Sequence, residues 1–232
     1  MTTITKFHWL AYQQLLDSAL PIGGFSHSFG LETLVQQERL QTVDELEAYI
    51  RSMLANSWAS SDAMLIKAAY AHIPAQQWEA LWLMDRMLHV QRASAEARNG
   101  VQKMGRRLLQ LTRSMYPQLG WGPLEEAVRL ERCSSSHALI HGWVSYQLGV
   151  PLDQAAEGYL YSCTVTCVNS ALRLMSMGQT QGQMLLAKLV PLLGSEWQRV
   201  AQMDPLDAYT NTPAADIAMM QHETLYSRLF MS

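Results

Sequence analysis

Few residues in this 232-residue chain have the types and spacing that chemistry requires. His137 and His141 are four apart in HALIHGW, which puts both imidazoles on one face of a helix, a spacing that permits a metal bridge. His222 or a cysteine could complete such a site. Cys163 and Cys167 repeat the spacing in CTVTC. Both pairs lie in small-residue, apolar runs, where buried thiols and hydrogen-bonded imidazoles are the ordinary outcome. There is no CxxC pair, and HETLY, starting at His222, has Tyr226 where the zinc-protease signature requires its second histidine.

A second stretch, LLDSALPIGGFSHSFGLETLVQQ, offers glycines, two serines and a histidine in a turn between two helical pieces. Gly23-Gly24 lacks both the spacing and the lysine of a phosphate-cradling loop, and the next basic residue after Lys6 is Arg39. GVQKMGRR, from Gly100, has the wrong order and sits inside a helical pattern. Ser26, His27 and Ser28 follow no strand and form no nucleophile elbow. Ser26 is expected to cap the helix that runs toward Gln37, while Gly24 and Gly30 allow close backbone approach. Pro21, Gly23, Gly24, Ser26 and Gly30 thus read as a rigid corner. Arg98, Lys103, Arg106, Arg107 and Arg113 give one region a basic bias. With Glu96 nearby and no interleaved aromatics, that is a solvated face or a surface for an acidic protein rather than for nucleic acid. Glu125 and Glu126 are adjacent and do not resemble an acid/base pair. No nucleophile, base and orienting group form a set, so no enzyme is expected.

The elements that carry these residues have helical periodicity nearly throughout. Thr42 and Glu45 have capping-box spacing ahead of the stripe Leu46, Tyr49, Ile50 and Leu54. A further helix is expected through SDAMLIKAAYA. Pro74 can open the next, in which Trp78, Leu81, Trp82, Met84, Met87 and Leu88 predict deep burial. Asp153 to about Met177 and Gln181 to Leu193 read as two long helices. A last one is expected to start after Thr212-Pro213 and to continue through SRL. The first few residues and VAQMDPLDAYTNTPA should be the least ordered. The expectation is an all-α fold, a single compact domain of about nine to eleven helices around one or two buried central helices; a split near Trp121 is the alternative.

Hydrophobic residues make up 49% of the chain and charged residues only 16%, a low share that suits a protein held against others. Fourteen methionines agree with adaptable surfaces, although Met also fills helical cores. A net charge of −3 gives no general attraction to nucleic acid or acidic membranes. Three cysteines make no disulfide framework. The start lacks a secretory pattern, and no apolar run reaches the roughly 18 residues of a membrane span. The chain reads as cytoplasmic.

SALPIGGFSHSFGLE, HALIHGWVSYQLGV, NSALRLMSMGQTQGQ and QHETLYSRLFMS, in that order along the chain, resemble the urease accessory proteins of the UreF family. The resemblance implies an all-helical, non-enzymatic protein without a cofactor that commonly dimerises. Its implied partners are a UreD/UreH-type accessory protein, the UreG GTPase and apo-urease, and its implied task is nickel insertion during urease maturation. It also implies that a C-terminal segment, about 212–232, contacts the UreD-type partner, carrying that role onto Tyr226, Arg228, Leu229, Phe230 and His222. From the residues alone, Leu225, Leu229 and Phe230 read either as an exposed apolar ridge at the chain end or as the docked face of a last helix on its own core, and the two are not exclusive. His27 stands where many relatives carry tyrosine, which weakens any role needing a phenolic hydroxyl. The competing function is a metallochaperone that itself holds nickel through His137 and His141.

Overall fold

The computed structural model describes residues 9–232. Every regular element among them is helical, as the periodicity predicts. The expectation about the first few residues falls outside that range.

The fold is organised around helices that lack a polar face. In α8 (His137–Gln147), every residue from His137 to Ser145 is buried, the behaviour of a helix that is apolar all round. Ser136 caps it by accepting from the Leu139 N–H. α4 (Ala63–Ala75) lies against α8, where Gly142 brings the Ile66 Cα within van der Waals reach. α6 (Ala95–Met115) and α9 (Leu152–Leu174) cover the other sides of α8. Because α8 packs on both α4 and α6, the two halves of the chain share one core, and no boundary falls at Trp121. Trp82, Trp143 and Trp197 are among its largest buried side chains.

The remaining helices surround this centre: α1 (Trp9–Leu16), α2 (Leu31–Gln36), α3 (Val43–Met53), α5 (Trp78–Gln91), α7 (Gly122–Arg129), α10 (Gln179–Val200) and α11 (Pro213–Gln221). The capping box of α3 forms as its spacing predicts: Glu45 N–H donates to Thr42 Oγ1, and Thr42 N–H donates to the Glu45 carboxylate. Only one side of α5 is deep. Leu81, Trp82, Met84 and Leu88 are buried, while Leu83 and Val90 face solvent.

Several boundaries differ from expectation for physical reasons. Pro74 closes α4 instead of opening α5, since Gln76 adopts a left-handed conformation (φ 54°) that ends the helix. The stretch between α3 and α4 is no break at all: Leu54–Asp62 continues as π-helix. The Asn56 and Ser60 carbonyls in that segment accept from the Asn211 and Tyr209 N–H groups. These bonds pin the 201–212 connection, which also receives the Lys67 ammonium on its Ala201 and Met203 carbonyls. That connection is therefore well held, contrary to its polar, proline-containing appearance. No helix among the described residues is long and apolar enough to cross a membrane.

The close approach of α6 to the start of α8 gives a direct test of this packing. A Cβ on Gly105 would lie 2.0 Å from the Ser135 carbonyl oxygen, whereas one on Gly122 would meet nothing within 4 Å. In urea titrations, Gly105→Ala should lose roughly 2–3 kcal/mol of stability, and Gly122→Ala should stay within about 0.5 kcal/mol of wild type.

Candidate partner-docking site

The two distinctive stretches of the sequence, 200 residues apart, form one structure. α1 ends at Leu16, where the Asp17 carboxylate accepts from the Ala19 N–H and turns the chain ahead of Pro21. Gly23 (φ 88°) and Gly30 (φ 90°) adopt left-handed conformations that disfavour any side chain. Gly30 has a further reason to be glycine, since a Cβ would press on the Met219 backbone nitrogen of α11 at 3.1 Å.

Ser26 does not cap α2. Its hydroxyl turns back to donate to the Gly23 carbonyl at 2.7 Å and closes a one-turn 3-10 helix over Gly24–Ser26. The capping bond comes from Ser28, whose Oγ accepts from the Glu32 N–H.

Into this corner the C-terminal segment docks. The expected helix through Leu229 stops at Gln221, followed by a 3-10 turn over His222–Thr224 and an extended end. The Ser28 and Phe29 N–H groups both donate to a Ser232 main-chain oxygen, at 2.6 and 3.1 Å. Ser28 Oγ reaches the same oxygen, and His27 Nδ1 lies 2.7 Å from Ser232 Oγ. His27 also stacks on Phe29. The turn returns one bond, as the Met231 N–H donates to the Ser26 carbonyl.

The centre of the joint is Glu32, a buried carboxylate on α2. It accepts from the Leu229 N–H at 2.6 Å and the Phe230 N–H at 3.0 Å. Its Oε2 also lies 3.0 Å from His222 Nε2, while His222 Nδ1 lies 2.7 Å from Glu96 of α6. Both nitrogens of this fully buried ring lie within hydrogen-bonding distance of carboxyl oxygens. Arg228 completes the set on the other Glu96 oxygen at 2.8 Å. The buried polar groups of the joint thus find their partners in one another, the condition under which their burial is tolerated.

The residues expected to meet a partner divide accordingly. Tyr226 is fully exposed, Leu229 and Met231 are more than half exposed, and Arg228 keeps an exposed edge. Phe230 does not contribute to an exposed ridge: it is buried, with the Arg173 guanidinium 4.3 Å above its ring. His222 is likewise buried and holds the segment from inside. Pro21, Gly23, Gly24, Ser26 and Gly30 lie in the turn between α1 and α2. Sequence reasoning missed Glu32, Glu96, Ser28, Arg173 and Ser232. Glu32 stands beside Thr33 between Leu31 and Leu34, with no local sign of its distant partners.

The metal candidates are brought together but are not arranged as a site. The His137 and His141 rings are 6.3 Å apart, and both pack on Tyr159. His141 Nε2 is 3.2 Å from the Ala155 carbonyl, and His222 is committed to Glu32 and Glu96. Burial pushes the Cys163 thiol strongly upward and that of Cys167 up to about 12, which opposes the thiolate that metals require. No group of three potential ligands gathers among the described residues.

The fold and this joint define an all-helical protein whose most elaborate polar cluster is structural, spent on locking its two ends together. A family model described as UreF matches residues 40–190. A protein named urease accessory protein UreF from a Nostoc species is 32% identical over 231 residues, covering 100% of this chain and 99% of its own. Proteins of the same name from a Bacillus species and from Lachnoclostridium phytofermentans are 30% and 29% identical over 96% and 94% of the chain, covering 98% and 96% of their own lengths. The chain belongs to the UreF family. Glu32, the corner and the tail lie outside the span of the family model and Glu96 within it, while the alignments cover nearly the whole chain.

Two outcomes follow from the joint and its surroundings. Glu32→Gln places an N–H donor where tail amides need acceptors. Hydrogen exchange at Leu229 and Phe230 should accelerate at least tenfold, with a global loss of about 1–3 kcal/mol. The second outcome concerns pH. Burial and Lys103 lower His27 to about 4, burial and His141 lower His137 to about 3, and burial lowers His141 to about 4. These rings are neutral when folded, so the unfolded chain binds more protons once pH falls below the ordinary value near 6.5. Stability should decline from about pH 6.5 toward pH 4, by up to about 1.4 kcal/mol per unit for each ring. Thermal melts across that range measure it, and His141→Gln should flatten the slope.

Proposed function

We propose that this chain is a non-enzymatic adaptor in urease maturation. It joins a UreD/UreH-type scaffold and the UreG GTPase to apo-urease, acts as a homodimer in the cytoplasm, and promotes nickel insertion without binding a cofactor. Family membership supports the pathway. The observation that carries the adaptor reading is the presentation of Tyr226, Leu229 and Met231 on a C-terminal segment held in one conformation by Glu32, Glu96 and the Gly23–Gly30 corner. An exposed strand of chain fixed in this way loses little conformational entropy when a partner covers it, which is how preorganisation raises affinity. Tyrosine and arginine beside an apolar rim are also the side chains that dominate interface energetics.

As an adaptor, the chain contributes binding free energy and alignment. Holding scaffold, GTPase and apo-urease together makes metal transfer effectively intramolecular, with an effective concentration set by geometry. No reacting group on this chain is needed.

The C-terminal segment is the proposed contact for the UreD/UreH-type partner. Tyr226 and Leu229 would make it directly, Arg228 at its edge, and Phe230 and His222 by holding the segment from below. The double variant Tyr226→Ala/Leu229→Ala removes only exposed side chains, so its melting temperature should match wild type. Its affinity for the purified scaffold should fall at least thirtyfold, read by calorimetry. Unchanged affinity would remove the tail from the interface.

A further inference from the structure

We propose that the Leu20–Phe25 turn is a second anchoring element: Phe25 enters an apolar socket on the partner protein, and carboxylates on the rim of that socket meet Arg107 and Arg173. This inference rests on the adaptor reading for the partner that serves as probe, and it adds a site that the tail does not include.

The observation behind it is a mismatch between how firmly the turn is held and how little it buries. Arg107 Nε, from α6, donates to the Pro21 carbonyl at 3.2 Å. Arg173 Nη1, from α9, donates to the Phe25 carbonyl at 2.6 Å. The Ser26 and His27 N–H groups donate to the Gly23 and Gly24 carbonyls, and Ser26 Oγ reinforces the first of these. Bonds from three parts of the chain thus fix the backbone on either side of Phe25. Yet the Phe25 side chain is 72% exposed. Rigid backbone under an exposed aromatic ring serves recognition, because the ring offers a large contact area at little further entropy.

The charges beside the ring indicate the partner's chemistry. Neither Arg107 nor Arg173 forms an ion pair among the described residues; each spends a donor on a turn carbonyl and keeps others open. Lys103, one turn before Arg107 on α6, adds positive charge on the same side, close enough to depress protonation of His27. The acidic neighbours are Asp17, whose Oδ1 is occupied by the Ala19 N–H, and Glu96, which acts on His27 but is held by His222 and Arg228. In a chain of net charge −3, this corner is therefore locally cationic, and a socket edged with Asp or Glu complements it.

The tail joins this surface directly. Met231 N–H bonds the Ser26 carbonyl, and Arg173 contacts both the Phe25 carbonyl and the Phe230 ring. Phe25 and the exposed Met231 and Leu229 can thus be covered by one partner. A hollow of about 80 Å³ beside Phe25, bordered by Leu16, Ile22, Asn169 and Arg173, gives room for a partner side chain at the edge.

The test titrates full-length variants into the purified UreD/UreH-type scaffold. Phe25→Ala should bind at least tenfold more weakly, and Arg107→Glu should weaken binding while reducing its dependence on salt, both with wild-type melting temperatures. Wild-type affinity in both variants overturns the proposal. If only the Tyr226→Ala/Leu229→Ala variant loses affinity, the knob is wrong and the adaptor reading stands. If none of the variants changes binding, both fail. Sedimentation gives the remaining outcome: self-association weakened by Phe25→Ala, with scaffold affinity intact, would make a second copy the occupant and also overturn the proposal.

Discussion

The buried carboxylate of Glu32 is the interaction on which the arrangement of both chain ends depends. An ionised carboxylate taken from water must recover its hydration from other donors. Glu32 finds them in the Leu229 and Phe230 amides, in Gln36 and in the His222 ring. The same requirement works in the opposite direction: the tail amides, which leave the helical register after Gln221, need an acceptor. Neither side is satisfied alone. The interaction therefore couples α2 to the C-terminal segment, and His222 extends the coupling to α6 through Glu96. The corner completes it, since Ser28 and Phe29 bind the Ser232 oxygen that the tail delivers.

This coupling occupies the polar groups that first suggest chemistry. His27, Ser26 and Ser28 are occupied with main-chain groups and with Ser232. His137 and His141 are buried in a helix with no polar face, where desolvation keeps them neutral. Around this coupling, exposed apolar side chains stand on a held backbone: Phe25 on the corner and Tyr226, Leu229 and Met231 on the tail.

Much of the fold was legible because local signals agreed with the tertiary structure. The Thr42–Glu45 box and the apolar composition of α8 each acted where they stood. Failures came where a distant group decided. No helix is expected ahead of SDAMLIKAAYA, but Leu54–Asp62 is a π-helix matched by backbone from residues 209–211. The periodicity after Pro213 continues past Gln221, but Glu32 and the corner claim the amides that a longer helix would use. The site was legible in its two halves and illegible as a whole, because nothing local marks Glu32 as the residue that joins them. Phe230 shows the same limit: its apolar, terminal position fits an exposed ridge equally well until Arg173 is seen above its ring.

The central claim is that the fixed conformation of the tail, as distinct from its side chains alone, creates the docking surface. Calorimetry of Glu32→Gln against the UreD/UreH-type scaffold measures this most directly, because every exposed tail residue is retained. The account predicts at least a tenfold loss of affinity in a variant that remains folded, with a larger unfavourable entropy of binding. Wild-type affinity in a variant whose tail amides exchange freely would contradict it.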